Sequence, residues 1–130
     1  MASIVPVAKT LFLCEELDVV WGMTNLYGIL NSIRPAVYPH VQDSLCAFVQ
    51  LSQGLGEIPL YYDIQRARDQ RAIHTSLVRT LRFERRTQLV QVGTRFEGVR
   101  FEEPGMYFVE LYCHNTWVGD VTLELKEAGS

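Results

Sequence analysis

The chain has 130 residues, 48% of them apolar and 21% charged, with a net charge of −3. Those values fit one globular domain spanning 1–130, large enough to bury a core without disulfides or metals, and they exclude a disordered chain. No stretch approaches the ~20 consecutive apolar residues of a membrane-spanning helix, so no span is expected.

From the N-terminus, "MASIVPVAKTLFLCEELDVV" is apolar in patches but has no basic start, and it reaches Glu15 and Glu16 without a small-residue cleavage site. It reads as a first strand rather than a signal peptide, and a cytoplasmic protein is expected. "WGMTN" (21–25) reads as the turn of a first hairpin joining 10–20 to 25–33, and "RPAVYPH" (34–40) as a longer connection.

Period two dominates the middle of the chain. "SLCAFVQLS" places Leu45, Ala47, Val49 and Leu51 on one face, with Cys46, Phe48, Gln50 and Ser52 on the other. After the two-glycine turn "QGLGE" (53–57), Ile58, Leu60, Tyr62 and Ile64 alternate with Pro59, Tyr61, Asp63 and Gln65. Pro59 points to an edge strand or a first-residue position, because proline donates nothing to a ladder. "ARDQRA" (67–72) is a charged turn.

Residues 66–86 fit two patterns. Ile73, Leu77 and Leu81 recur every four residues, as in an amphipathic helix, while "IHTSLVRTLRF" alternates and is rich in β-branched residues. Thr75, Val78 and Thr80 favour the strand.

"EEPG" (102–105) opens a last hairpin, in which Tyr107, Val109, Leu111 and Cys113 share a face, "HNT" (114–116) forms the tip, and Gly119 marks a bulge or a close backbone approach. The return strand sets Val121, Leu123 and Leu125 inward. The total is about eight strands, and the aromatic residues are best explained as core.

Three landmarks in order are "LFLCEELDVVWGMTNLYGILNSI", "VQLSQGLGEIPLYYDI" and "VRFEEPGMYFVELYCHNTWVGDVTLEL". Together, over residues 11–125, they resemble a family of short, mostly bacterial all-β sandwich proteins of unknown function. The residues that carry the resemblance are Gly28-Ile29, then Phe101, Pro104, Gly105 and Tyr107, then Gly119. The arginine-rich middle (66–95) and the tip "HNTW" depart from it. The resemblance implies a fold and no activity.

No constellation for chemistry stands out. His40, His74 and His114 lie far apart in sequence with no metal-ligand spacing, so neither a metal nor a cofactor is expected. Glu15–Glu16 and Glu102–Glu103 are adjacent pairs, which diverge on a strand and make poor acid–base dyads. No nucleophile elbow or phosphate loop is present. Cys14, Cys46 and Cys113, three in number and in apolar surroundings, read as reduced core thiols of a reducing compartment.

Charge distribution is the distinctive feature. Segment 66–100 holds nine arginines against Asp69, Glu84 and Glu97, or +6, whereas the rest holds three bases and twelve acids, or −9. Arginine's planar fork suits carboxylates, phosphates and interfaces. The segment therefore reads either as a solvated face whose arginines pair with acids on neighbouring strands or as a surface for an acidic protein partner, including the acidic face of another copy.

The expected fold is therefore all-β: a single antiparallel β-sandwich of about 7–9 strands with immunoglobulin-like architecture. The expected function is a non-catalytic binding or assembly module that recognises another protein or a second copy of itself. Arg79, Arg82, Arg85 and Arg86 form its candidate basic patch. An alternative is a small-ligand-binding protein or small enzyme with a site between the sheets or under the 34–42 loop, lined by Tyr61, Tyr62, Tyr107 and Trp117. A weaker alternative is nucleic-acid binding through 66–100, which the net acidity opposes.

Overall fold

The computed structural model describes residues 2–128. Among them there are twelve strands and no helix: β1 (Val7–Val20), β2 (Met23–Ile29), β3 (Ser32–Ile33), β4 (His40–Gln42), β5 (Leu45–Ser52), β6 (Gly56–Arg66), β7 (Ala72–Thr75), β8 (Arg79–Phe83), β9 (Val90–Phe96), β10 (Val99–Phe101), β11 (Gly105–Cys113) and β12 (Thr116–Leu125). The strand reading of 66–86 holds, but as two strands, because the backbone breaks at Ser76–Val78 between β7 and β8. The count exceeds the expected 7–9. Elements of two or three residues, such as β3, β4 and β10, are too short to show alternation.

One sheet has the order β2-β1-β5-β9. A second runs β3-β12-β11-β6-β7, with β8 also pairing β6, and β4 and β10 form a separate pair. Every pairing is antiparallel except β3 with β12, which is parallel, so the larger sheet is mixed. Leu13, Ala47, Val49, Leu51, Val92 and Phe96 from the first sheet meet Ile58, Leu60, Tyr62, Ile64, Val109, Leu111 and Leu123 from the second in one buried cluster. The rings of Tyr62 and Phe96 meet edge to face at 5.4 Å, as do Phe101 and Tyr107 at 5.0 Å. At about 25 cal/mol per Å² of apolar surface removed from water, this shared core is the principal stabiliser of the fold.

Pro59 departs from expectation. Strand β6 is central, with β11 on one side and β7 and β8 on the other. Proline is accommodated because its carbonyl faces the β11 side, where it accepts the His114 N–H at the hairpin tip. Its nitrogen faces the same way, at the point where β11 turns off the ladder. Beside Gly119 the β11–β12 register slips by one residue, since Leu111 pairs with Gly119 but Tyr112 with Trp117. That slip is the bulge the glycine predicts.

The β1–β2 hairpin does more than extend its sheet. Its two-residue turn, Trp21-Gly22, has φ of 53° and 75°, the positive pair of a type I′ turn. The distal half bends back over the outward face of β5 and β9: Leu17 lies against Gly93, and Thr24 Oγ1 donates to Gln91 Oε1 at 3.5 Å. Burial of Cys14, Cys46 and Phe48 on that outward face follows from this fold-back.

Candidate functional site

The nine arginines of 66–100 are dispersed, and most are engaged. Arg66 bridges Asp69 at 2.7 Å and Glu103 at 2.8 Å, and Arg68 joins Glu103 at 2.6 Å. Its hydrogen bond with Asp69 raises the Arg66 pKa, and the same bond lowers that of Asp69; the Arg68 bond lowers that of Glu103. Arg95 pairs with Glu16 and Arg100 with Glu102.

The four residues of the candidate patch are all exposed but act locally. Arg79 and Arg82 lie on β8. Arg79 reaches out of its own sheet and donates to the Gly93 carbonyl of β9 at 2.7 Å, so it caps the free edge of the opposite sheet. Arg82 lies between Glu57 and Glu84, at 3.7 and 3.3 Å. Arg86, in the turn after β8, donates to the Gln53 carbonyl at 2.8 Å, and Arg85 makes no ion pair among the described residues.

The four aromatic residues expected to line a site between the sheets do not converge. Tyr62 and Tyr107 are core, Tyr61 stacks on Tyr112 at 5.2 Å on the outer face, and Trp117 is exposed. A surface cavity of about 510 Å³ opens beside Arg79, lined by His74, Ser76, Leu77, Thr94 and Arg95 among others. Thr94 Oγ1 there and Tyr62 Oη in the core are buried without a hydrogen-bond partner among the described residues. His74 packs on Phe96, His114 meets Ser3, and His40 meets Gln42, so the histidines remain apart. No group of three metal-ligating side chains comes together among the described residues. Likewise, no helix there is long and apolar enough to cross a membrane.

The feature that sequence reasoning missed is the hairpin tip. Trp21 is 96% exposed, and Val19, Val20 and Met23 around it are exposed as well. Of the non-glycine residues with positive φ, which are Trp21, Gln53, Gln70, His114 and Asn115, Trp21 is the bulkiest. A bulky residue in that region is held against its preference. Asp18 next to the tip accepts from Asn25 Nδ2 at 3.0 Å and from the Tyr27 hydroxyl at 3.1 Å, which raises the Tyr27 pKa. The tip is thus an exposed apolar surface, and the carboxylate beside it is hydrogen-bonded within its own hairpin. The signal in the sequence was a tryptophan inside a glycine-containing turn, with apolar residues on both sides of it.

Comparison with curated proteins finds no match for this chain. A family model described as a family of unknown function (DUF6941) matches residues 9–126. That span includes the first hairpin, both sheets and the closing hairpin, and it agrees with the resemblance carried by Gly28-Ile29 and Phe101–Tyr107: the chain belongs to this family of unknown function.

Proposed function

We propose that the chain is a non-catalytic protein-binding module that docks a partner through the tip of its β1–β2 hairpin. The observation that carries this reading is Trp21, fully solvated and in a left-handed backbone conformation. Folding gains nothing from either property. Both expose a rigid aromatic anchor of the type that dominates protein interfaces. The local pairing of the arginines supports a structural role for 66–100 over recognition of nucleic acid.

We read the scaffold as a β-sandwich of immunoglobulin-like architecture. Strands β1, β5 and β9 in one sheet and β6, β11 and β12 in the other follow the connectivity of such domains. The Tyr107 hydroxyl near the start of β11 donates to the Glu103 carbonyl at 2.7 Å, as in a tyrosine corner. Such a sandwich holds the hairpin rigid at one margin. The three buried free cysteines are consistent with a cytoplasmic setting.

The test places a photo-cross-linking amino acid at position 21 of the full chain in its native cell, with the exposed Thr87 as the control position. The expected result is a discrete protein adduct from position 21 that is absent from position 87. Equal or no labelling at the two positions would overturn the reading.

A further inference from the structure

Among the described residues, β2 is a sheet margin that carries none of the usual charged or proline defences. At the opposite margin of its sheet, Arg79 occupies the Gly93 carbonyl of β9. The other sheet ends on one side in β12, which β3 covers only at Glu124 and Leu125 and whose remaining edge carries the exposed Asp120. On the other side it ends in the short β7 and the arginine-bearing β8. Strand β2, "MTNLYGI", runs seven residues without a lysine, a proline or any charge. Edges of that length are ordinarily blunted by one of these devices, because their free N–H and C=O groups template another strand. Here the blunting is confined to Gly28, whose φ of 67° disturbs the last part of the strand.

The phase of the backbone is set by the turn. Val20 pairs with Met23 across it, and hydrogen-bonded pairs then alternate, so Met23 and Asn25 bond to β1 while Thr24 and Leu26 direct their N–H and C=O away from it. The exposed apolar side chains fall on the odd positions: Trp21, Met23 (65%), Tyr27 (50%) and Ile29 (60%).

Resting on the reading of the hairpin as a docking element, we propose that its partner is a second copy of this chain, whose β2 adds antiparallel to this edge about a two-fold axis at Asn25. In that register Thr24 exchanges hydrogen bonds with Leu26 of the second copy, Met23 lies against Tyr27, and Trp21 against Ile29. Every exposed large apolar side chain of the strand finds a like neighbour, and the outward-facing backbone groups find theirs. Charge permits the same occupant. Asp18 keeps its charge while hydrogen-bonded to Asn25 and Tyr27. In this register three strand spacings, about 14 Å, separate it from its own copy, beyond the ~8 Å screening length at physiological salt. Glu16 is paired with Arg95, so repulsion between the two copies is small.

The experiment is sedimentation of the full chain over a concentration series, with thiol cross-linking. The expected result is a concentration-dependent dimer that Thr24→Pro weakens at least about tenfold by removing two ladder bonds across the axis. Met23→Lys, on an exposed side chain, is expected to do the same and covers the case in which proline loosens the hairpin itself. Asn25→Cys, facing its own copy in a non-hydrogen-bonded pair, is expected to form an intermolecular disulfide with oxidised glutathione at least about tenfold faster than Thr87→Cys. A monomer at every concentration overturns the proposal. So does a dimer indifferent to both strand variants, with Asn25→Cys no faster than the control. A monomer whose position-21 cross-linker captures a different protein overturns this proposal and leaves the docking reading standing, whereas a monomer that captures nothing ends both.

Discussion

Leu17 fills the space that a side chain at Gly93 would need: a Cβ built there lies 3.0 Å from both Leu17 Cδ atoms. This contact seats the distal hairpin on β9, and it explains a glycine in the middle of a strand, where glycine is otherwise unfavourable. Gly93→Ala is expected to destabilise the protein by about 1–3 kcal/mol, toward the lower end because Leu17 is flexible at its tip. Leu17→Ala in the same chain should recover part of that loss, seen in a double-mutant cycle of urea midpoints. Strict additivity of the two substitutions would show that the hairpin does not rest on Gly93.

Trp21 occupies the first position of a type I′ turn, where asparagine before glycine is the favoured pair. With almost no contact to lose, Trp21→Asn is expected to stabilise the fold by about 1 kcal/mol, a rise of roughly 3–5 °C in Tm. The same substitution should abolish partner capture by a cross-linker placed at the exposed neighbour Val19. Stability gained where binding is lost is the pattern of a residue retained for recognition. A fall in Tm would show that the indole packs against the protein and carries no strain.

How far the sequence could be read depends on what alternation can encode. Ile58, Leu60, Tyr62 and Ile64, and Tyr107, Val109, Leu111 and Cys113, are buried as their spacing predicts, because a strand's inward face is a local property. What covers the other face is not local. Cys46 and Phe48 declare a second apolar face in "SLCAFVQLS", but their cover is supplied by Leu17 and the bent hairpin some thirty residues earlier in the chain. The arginines illustrate the same limit. Pairing with acids on neighbouring strands was legible as a type of contact, but not the partners: Arg95 with Glu16 and Arg68 with Glu103 are pairs that only the folded chain brings near.

Tyr62 is fully buried between the sheets, and its hydroxyl has no hydrogen-bond partner among the described residues. Burial raises its pKa, so the phenol stays neutral. An unpaired buried hydroxyl costs about 1–3 kcal/mol, and Tyr62→Phe keeps the ring on Phe96 while removing it. The variant is expected to be as stable as the parent or more so, by up to about 1 kcal/mol in urea denaturation. A loss beyond about 1 kcal/mol would reveal that the hydroxyl has a partner in solution.

Alkaline pH should weaken the fold through its thiols. Desolvation raises Cys46 and Cys113 from 9.0 to about 11 in the folded chain. The folded state therefore keeps protons that the unfolded chain releases, so stability is fully present below pH 9.0 and is lost as pH rises toward about 11. One unit above the unfolded value the loss is about 1.4 kcal/mol for each thiol. Cys113 answers to burial alone, whereas Cys46 also feels Cys14 directly opposite it across β1 and β5. Cys113→Ala is thus the cleaner probe. It should cost about 1 kcal/mol at neutral pH, where a small cavity replaces the sulfur, yet lose about 1.4 kcal/mol less further stability than the parent between neutrality and about pH 10. Parallel pH profiles for parent and variant would mean that Cys113 ionises as readily in the folded chain as in the unfolded one, and that its side of the core admits water.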